Sequence, residues 1–543
     1  MLRFMESITD KPDWDEKVFR EDIASKWRDE MANSGKDVSP QMINWIIKEL
    51  QWKAGEYQEL GYIECFDPGV IKSDIAIPSD LQQALKDAVR PLEDIPPEDK
   101  DYHPNSNMQV VDLVHPSLFP VIYGRTRIIA DTVLGLNDCF ESIGRGDFSK
   151  LPCISGADPP ADLVLAHETY LEEDLEGYSR RFQWLPCDVK LTSDGECHIA
   201  SYINNLHPEQ HRGLYHIIDK ILTRTIPLWN RSLREKLDNH SWRLPYVEVK
   251  YGETLEPEPD EAVIPKNEYW EAPQRWRASF PIVQPEPGNF SPSEEPSGGW
   301  PDLQKQFAKT GLQVIVKLAN IELTPERPEY GGGSWHVEGQ LNERIYATAI
   351  YYYNSDNITE NTLSFCHCAD HEYVETKVSY EQGKHTFLPA IFGFGLELVD
   401  YDYNSFIAQE LGGVSYQEGR LLTFPNTLQH CVSPFSLVDR SKPGHRKILA
   451  LFLIDPNRRV ISSANVPPQK EDWFVAWQNS VKQVLTPRLP RELQDIIHND
   501  IDFKPITMDE AKQYQEELME ERSTVNTAQK HSFKWGGFSL CEH

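Results

Sequence analysis

No stretch of the sequence is apolar and uninterrupted for the roughly 20 residues that a membrane-spanning helix needs. Residues 1–7 also lack the apolar core of a secretory signal peptide. We therefore expect an intracellular protein, cytoplasmic or nuclear, with no signal peptide and no transmembrane segment.

Positive charge is scarce. The 543 residues include 54 Lys and Arg against 85 Asp and Glu, which gives a formal net charge of -31. A nucleic-acid backbone or an anionic membrane would be repelled by such a chain, because both are polyanions. We therefore expect neither as a partner. The composition, 39% hydrophobic and 26% charged, is that of a globular protein.

Paired cysteines are missing as well. The nine cysteines include no Cys-x-x-Cys pair, and this scatter favours reduced thiols over a disulfide framework. The segment Cys366-His367-Cys368-Ala369-Asp370-His371 offers possible zinc ligands. The alternation of side chains along an extended segment explains it equally well.

The chain exceeds a usual single domain, so two structural parts, or one barrel with large additions, are expected. Its patterns predict an α+β protein with four regions. These are a mainly helical region packed on a barrel (1–244), Pro- and Glu-rich connecting loops (245–300), a barrel core (301–470) and a helical tail (471–543).

Helical spacing of apolar residues predicts several helices in the first region. Ser39 is expected to cap the helix that starts at Pro40, and Ser79 to cap the next one. A further helix is predicted from His211 to the approach of Pro227.

The core region contains short apolar runs separated by turn residues, as an antiparallel barrel or sandwich requires. The predicted strands are 313–320, 346–353, 363–365, 420–424 and 448–454.

A candidate metal site begins at Gly331-Gly332-Gly333-Ser334-Trp335-His336-Val337-Glu338-Gly339. Side chains alternate along a strand, so His336 and Glu338 would share one side and Val337 the other. His430 follows a strand-like run and a Pro-Asn turn, and it is the best third ligand. Two histidines and one carboxylate with open opposite positions form the coordination set of non-haem Fe(II) oxygenases. The alternative for His336-x-Glu338 alone is an exposed polar face.

Arg446 opens the apolar run that ends at Ile454. On such a strand, residues 446, 448, 450, 452 and 454 share a face, which suits a barrel interior with an Arg at its mouth. Arg also binds carboxylates through two parallel hydrogen bonds. Arg440, in the preceding loop, is the competing candidate, and pairing of Arg446 with an Asp or Glu at the barrel rim is the structural alternative.

With these residues the chain resembles the Fe(II)/2-oxoglutarate dioxygenases, whose double-stranded β-helix (a jelly-roll, cupin-like barrel) carries a His-x-Asp/Glu, a distal His and an Arg. The resemblance implies that His336, Glu338 and His430 bind Fe(II) and that Arg446 binds 2-oxoglutarate. It also implies O2 as a reactant. Because Glu338 fills the position that halogenases leave open, it implies hydroxylation, desaturation or demethylation of a small molecule or peptide.

A closer resemblance is to DUF4246, a fungal family of unknown function, and it extends over nearly the whole chain. The segments that carry it are 112–118 (DLVHPSL), 201–208 (SYINNLHP), 335–344 (WHVEGQLNER) and 517–522 (ELMEER). This resemblance supplies a family and no substrate.

Three functions remain open on the sequence alone. They are an Fe(II)/2-oxoglutarate oxygenase, a cupin-like metal enzyme that does not use 2-oxoglutarate, and a non-catalytic barrel that acts as a binding module. In the polar segment 201–208, Tyr202, Asn204, Asn205 and His207 are candidates for substrate binding, and a turn and helix cap is the alternative. The substrate and the oligomeric state are not indicated.

Overall fold

The computed structural model describes residues 1–150, 177–234, 243–244, 246–260, 262–292, 301–368, 374, 376–393, 404–406, 408–486, 489–490, 493 and 503–537. Its helices are α1 (Leu2–Thr9), α2 (Trp14–Lys17), α3 (Glu21–Ala32), α4 (Pro40–Leu60), α5 (Ser79–Glu93), α6 (Arg212–Ser232), α7 (Glu271–Ala278), α8 (Leu303–Gln306), α9 (Glu471–Leu485) and α10 (Met508–Lys534). None of these described helices combines the length and apolar character that a membrane span requires.

The first nine strands precede α7. They are β1 (Ile63–Phe66), β2 (Val70–Ser73), β3 (Val110–Val114), β4 (Val121–Ile122), β5 (Arg127–Ile128), β6 (Asp147–Phe148), β7 (Phe182–Gln183), β8 (Cys187–Leu191) and β9 (Cys197–Ile199). Residues 1–244 therefore contain nine short strands in addition to the helices α1 to α6. These strands have two to five residues, too few to reveal a period of two in the sequence.

The remaining strands follow α8. They are β10 (Leu312–Leu323), β11 (Glu329–Tyr330), β12 (Ile345–Asp356), β13 (Thr362–Cys368), β14 (Asn404–Phe406), β15 (Ala408–Ser415), β16 (Leu421–Pro425), β17 (Gln429–Val432), β18 (Phe435–Ser436), β19 (Gly444–Ile454) and β20 (Trp535–Gly537). The five strands predicted in the core region are confirmed as β10, β12, β13, β16 and β19. Because β13 is extended, the Cys366 to Cys368 segment follows strand alternation; Asp370 and His371 lie outside the described residues.

Nine strands form one large antiparallel sheet in the order β1-β2-β16-β12-β19-β10-β8-β9, with β3 also pairing with β10. A second sheet has the order β15-β13-β17, and β11 pairs with β18. The protein is thus a mixed α and β structure around a large antiparallel sheet. The strands described here lie in separate sheets and do not close into one barrel.

One face of the large sheet packs against α5 and α6. Leu449, Leu451 and Leu453 of β19 lie in this core, together with Leu85 of α5 and Ile218 of α6. The core thus joins the first region of the chain to the later strands. Helix α6 runs through Pro227 to Ser232, beyond its predicted end, because Leu228 and Trp229 are buried in the same core.

The other face of the large sheet packs against the second sheet. Ala450, Phe452 and Ile454 of β19 lie in this core with Leu363 and Phe365 of β13. Ile448 packs against it, so the alternation predicted for 446–454 is confirmed. We call the space between the two sheets the inter-sheet core.

Of the two predicted helix N-caps, one is present in the structure and the other is not. The Ser39 hydroxyl accepts a hydrogen bond from the backbone N–H of Met42, so the predicted cap of α4 is confirmed. The Ser79 prediction was wrong, because Pro78 occupies the N-cap position and no side chain caps the helix.

A buried ion cluster joins α4 to the segment that follows α6. Arg243 contacts both carboxylate oxygens of Glu49, with N–O distances of 2.7 and 2.5 Å. Lys53 lies 3.2 Å from the same carboxylate. Burial opposes ionisation of Glu49, but Arg243 and Lys53 outweigh it and lower its pKa from 4.5 to about 2.

Acid should remove this contribution to stability. An unfolded Glu binds a proton near pH 4.5 and the folded one only near pH 2, so the stabilisation is complete above about pH 5 and is lost as the pH falls toward 2. We expect Glu49→Gln to lower the free energy of unfolding at neutral pH by about 3 kcal/mol or more and to flatten its dependence on pH between 5 and 2. Urea titrations across this range measure both effects. Glu30→Gln, at an exposed pair with Lys11, is the matched control; equal pH profiles for Glu49→Gln and wild type would contradict the expectation.

Candidate metal centre

His336 and His430 are brought together by the backbone. The two residues form an antiparallel β-bridge, with N–O distances of 3.2 and 2.9 Å in its two hydrogen bonds. His430 lies on β17 and pairs with Phe365 of β13, so it projects from the same face as that buried ring. The bridge therefore delivers both imidazoles to the inter-sheet core.

Glu338 completes a group of three possible ligands. Its Oε1 lies 3.3 Å from Nε2 of His430 and 3.9 Å from Nε2 of His336. One ligand atom from each of the three residues lies within 4.8 Å of the others. Ligand atoms about 2.1 Å from a single metal ion are separated by about 3 to 4 Å, so the donor set fits one ion with little movement.

The protonation states also suit a metal. Nδ1 of His336 lies 2.7 Å from the backbone carbonyl of Ser334; a proton on Nδ1 leaves the lone pair of Nε2 directed at the group. Burial and the neighbouring His430 lower the pKa of His336 to about 4. Burial opposes ionisation of Glu338, but contact with His430 and the charge of His336 lower its pKa to about 2. At neutral pH this gives a neutral imidazole and a carboxylate, the forms that bind metals.

Asn426 holds the backbone of Glu338 in place. Its side-chain oxygen accepts from the Glu338 N–H at 2.9 Å, and its Nδ2 donates to the Glu338 carbonyl at 2.8 Å. Nδ2 also donates to the carbonyl of Ile345 at 3.1 Å. Asn426 belongs to the Pro-Asn turn before His430, so one turn positions both the carboxylate and the distal histidine.

Arg446 is a buried cation with no acidic partner among the described residues. It is 4% exposed and donates one hydrogen bond, 2.7 Å long, to the side-chain oxygen of Asn361. Three aromatic rings, those of Tyr352, Tyr416 and Phe435, surround its guanidinium at 5.4 to 5.5 Å.

Nε of Arg446 is buried without a hydrogen-bond partner, and no Asp or Glu among the described residues forms an ion pair with this guanidinium. A desolvated charge left this way is costly, so the site is suited to an anion. The alternative of a carboxylate partner at the rim finds no support in the described part of the chain.

Arg440 is placed very differently. Its side chain is 64% exposed and pairs with Glu329, itself 65% exposed. An exposed, paired guanidinium has little need of a further anion. The geometry therefore favours Arg446 over Arg440 as an anion ligand.

The polar segment 201–208 bonds to backbone. Tyr202 donates to the carbonyl of Val466, while the side-chain amides of Asn204 and Asn205 donate to carbonyls of the 115–119 loop. His207 stacks on Phe140 and accepts from backbone N–H groups just before α6. These contacts are those of the turn and cap alternative, and they buttress the loop after β3.

A second group of possible ligands was not found from the sequence: His103, Asp112 and His115. Nδ1 of His103 lies 2.7 Å from Oδ2 of Asp112, a hydrogen-bond distance. Nδ1 of His115 accepts from the backbone N–H of Ser117, so the proton of the neutral ring is on Nε2, 3.9 Å from the same carboxylate oxygen. A metal needs the lone pair of Nε2, so hydrogen bonding explains this group better than metal binding does.

The four segments that carry the family resemblance meet around Trp184. Its indole N–H donates to the Ser117 hydroxyl at 3.0 Å, and its backbone N–H donates to the Glu343 carboxylate at 2.6 Å. The guanidinium of Arg522 pairs with Glu343 and lies 3.7 Å from the Trp184 ring centroid. The segment 201–208 joins this network through Asn205, whose side-chain amide donates to the backbone carbonyl of His115. The segments thus form one buried network beside the inter-sheet core.

Sequence reasoning also missed Asn361, Asn426 and Lys317. Asn361 and Asn426 act through contacts with residues more than 80 positions away, which no local pattern reveals. Lys317 did carry a signal, because it is the one charged residue in the apolar run 313–320.

Models of one protein family match most of the chain. The model of the family described as "Protein of unknown function (DUF4246)" matches residues 40–477, and that of its N-terminal domain, DUF4246_N, matches residues 1–30. The search among curated proteins gave no match.

Three solved structures are similar to part of this chain. They are a BsmA homolog from Methylobium petroleophilum PM1 (14% identity, TM-score 0.16), IDO from Bacillus thuringiensis (12%, 0.16) and the Fe(II)/(alpha)ketoglutarate-dependent dioxygenase TqaL (17%, 0.15). The matches cover 28%, 28% and 26% of this chain, and 45%, 52% and 42% of those proteins. Likeness at this level carries no argument about function.

Proposed function

The chain belongs to the DUF4246 family, and on that premise we propose that it is an Fe(II)/2-oxoglutarate-dependent oxygenase, with His336, Glu338 and His430 as the metal ligands and Arg446 as the ligand of the 2-oxoglutarate carboxylate. The observation that carries the proposal is the pairing of two features in the inter-sheet core. One is a two-histidine, one-carboxylate donor set. The other is a buried guanidinium without an acidic partner among the described residues.

The same core connects the two features. Val432, two residues after His430 on β17, packs in one cluster with Phe435, whose ring contacts the Arg446 guanidinium. Tyr352, another ring around Arg446, packs in the inter-sheet core with Phe424, and Phe424 contacts His430 with ring centroids 4.9 Å apart. A small dicarboxylate between Arg446 and a metal at the triad would thus lie along a continuous aromatic wall.

Strand order supports a double-stranded β-helix core as the finer fold. Along the chain, β10, β12, β16 and β19 belong to the large sheet, whereas β11, β13, β15, β17 and β18 lie outside it. The chain thus alternates repeatedly between two layers, which is the path of a jelly roll. In this arrangement the triad comes from one layer and the loop beside it, and Arg446 from the facing strand.

In the proposed reaction, the metal and the keto acid would supply the oxidising chemistry. With Fe(II) and 2-oxoglutarate bound, one oxygen atom of O2 goes to the keto acid, which becomes succinate and CO2, and the other is available to oxidise the substrate. The residues of this chain would hold two imidazoles and a carboxylate toward the metal, bind the distal carboxylate and keep water from the aromatic interior. The substrate would be a small molecule or a peptide.

The proposal is tested by binding and turnover. We expect 2-oxoglutarate to bind only when a divalent metal is present, because its keto acid end is held by the metal. Anaerobic Fe(II) protein should develop a visible absorption band when 2-oxoglutarate is added, and admission of O2 should yield succinate. Metal binding without any 2-oxoglutarate binding would overturn the proposal in favour of a cupin-like enzyme that binds its substrate directly. Absence of metal binding would favour a binding module.

A further inference from the structure

Lys317 carries an ammonium group and lies on the face of β10 that is directed toward the inter-sheet core. Its neighbours two positions away on the strand are Ile315, which lies in the inter-sheet core, and the buried Ala319. The intervening residues Val316 and Leu318 face the opposite core with α6. Alternation along the strand therefore points Lys317 into the space between the sheets. The side chain is partly exposed, so a molecule entering from solvent can reach it.

Within the part of the chain that the structure describes, Lys317 is without a partner. No hydrogen bond or ion pair within 4.0 Å joins it to any residue in the described ranges. Other interior cations are paired with carboxylates: Lys72 with Glu6 at 2.7 Å, Arg420 with Asp74 at 2.6 Å, and Arg522 with Glu343. Besides Arg446, Lys317 is thus a cation on the inter-sheet side that has no acidic partner in the described part of the chain.

Lys317 lies on the same face of the large sheet as Asp112, because Asp112 of β3 pairs with Ala319 of β10, two positions from Lys317. The pKa of Asp112 is raised by burial, lowered by His115 and His103, and lowered further by Lys317. Lys317 nevertheless forms no ion pair within 4.0 Å with Asp112. Asp112 is instead held by His103.

We infer that the substrate of the proposed reaction carries an anionic group, a carboxylate or a phosphate, and that Lys317 binds it. This inference rests on the proposed function. Arg446 and Lys317 differ in burial, so they suit different anions. The enclosed guanidinium of Arg446 suits a cosubstrate carboxylate, whereas the accessible ammonium of Lys317 suits a group on the incoming substrate. A flexible lysine also tolerates different anions, because it acts as a compact point charge.

The first test asks which compounds stimulate conversion of 2-oxoglutarate to succinate. Small metabolites are sorted into pools bearing a carboxylate, bearing a phosphate, neutral and cationic. We expect stimulation from one anionic pool, and the two anionic arms distinguish carboxylate from phosphate. Stimulation only by a neutral or cationic compound would overturn the inference and leave the proposed function standing.

The second test uses Lys317→Gln with the stimulating compound. Loss of a charge-assisted contact should raise its KM by about tenfold or more. Lys317→Arg, which retains the charge, should recover part of the loss. Lys190→Gln, at an exposed lysine on β8 of the same sheet, is the matched control and should behave as wild type. An unchanged KM in Lys317→Gln would overturn the inference.

The third test does not need turnover. Lysines are reductively methylated with carbon-13, which preserves their charge, and the Lys317 signal is identified by its absence in Lys317→Arg. Inorganic phosphate or acetate, titrated into Mn(II)-free protein, should shift this signal saturably and leave that of Lys190 unchanged. A shift without any 2-oxoglutarate turnover would mean that the anion site stands and the proposed function fails. No shift with either anion would overturn the anion site itself.

Discussion

Replacing Glu338 by Ala should weaken Mn(II) binding by more than about 100-fold, because loss of a partner that merely orients a ligand already costs about 10- to 100-fold. Glu338 is the hub of the group, since its Oε1 is the atom that approaches both imidazoles. Free Mn(II), followed by electron paramagnetic resonance during titration, measures the affinity. Mn(II) stands in for Fe(II), which air would oxidise.

The matched control for this variant is Glu329→Ala. Glu329 is also a glutamate close in sequence to His336, but it is exposed and paired with Arg440. Its replacement should leave the Mn(II) affinity unchanged. His430→Ala should reproduce the loss seen for Glu338→Ala, and circular dichroism establishes that the variants remain folded. Wild-type Mn(II) affinity in Glu338→Ala would remove the triad from consideration.

Replacing Arg446 by Leu should weaken 2-oxoglutarate binding to the Mn(II)-loaded protein by about 2 to 5 kcal/mol, the usual effect of removing one partner of a buried charge pair. In affinity this is a loss of roughly 30-fold or more. Leu is chosen because the surrounding rings of Tyr352, Tyr416 and Phe435 provide an apolar enclosure. Removal of an unpaired buried charge should also leave the fold at least as stable.

Calorimetric titration with Mn(II), which prevents turnover, measures this effect. Mn(II) affinity itself should change little, so the loss can be attributed to the cosubstrate. Arg440→Ala is the matched control and should keep wild-type 2-oxoglutarate affinity, since that guanidinium is exposed and paired. Unchanged affinity in Arg446→Leu, together with a loss in Arg440→Ala, would transfer the assignment to Arg440.

Long strands were predictable because their pattern is local. The strands β10, β12 and β19 have 11 or 12 residues, and each contains a run of mostly apolar residues that an extended chain buries on both faces. The short strands were not predictable from the sequence. Strands β1 and β2 have four residues each, and their place at the edge of the large sheet depends on pairing with β16, some 350 positions later. The short strands of the region 1–244 were therefore not predicted from the sequence.

The sequence by itself determined which residues of the candidate site share a face. The two-residue period of an extended chain puts Arg446 with Ile448 and Phe452 on β19. It also predicts that His336 and Glu338 share a side, and the structure brings them together although only His336 forms a β-bridge and Glu338 lies in a bend. The sequence also determined that these side chains are of the chemical types that bind a metal ion and a carboxylate. The tertiary structure alone decided that His430 stands opposite His336, because a bridge between residues 94 positions apart follows from sheet packing. It alone decided that Arg446 and Lys317 lack acidic partners among the described residues, because the partner of a charge depends on which distant strands and loops come to surround it.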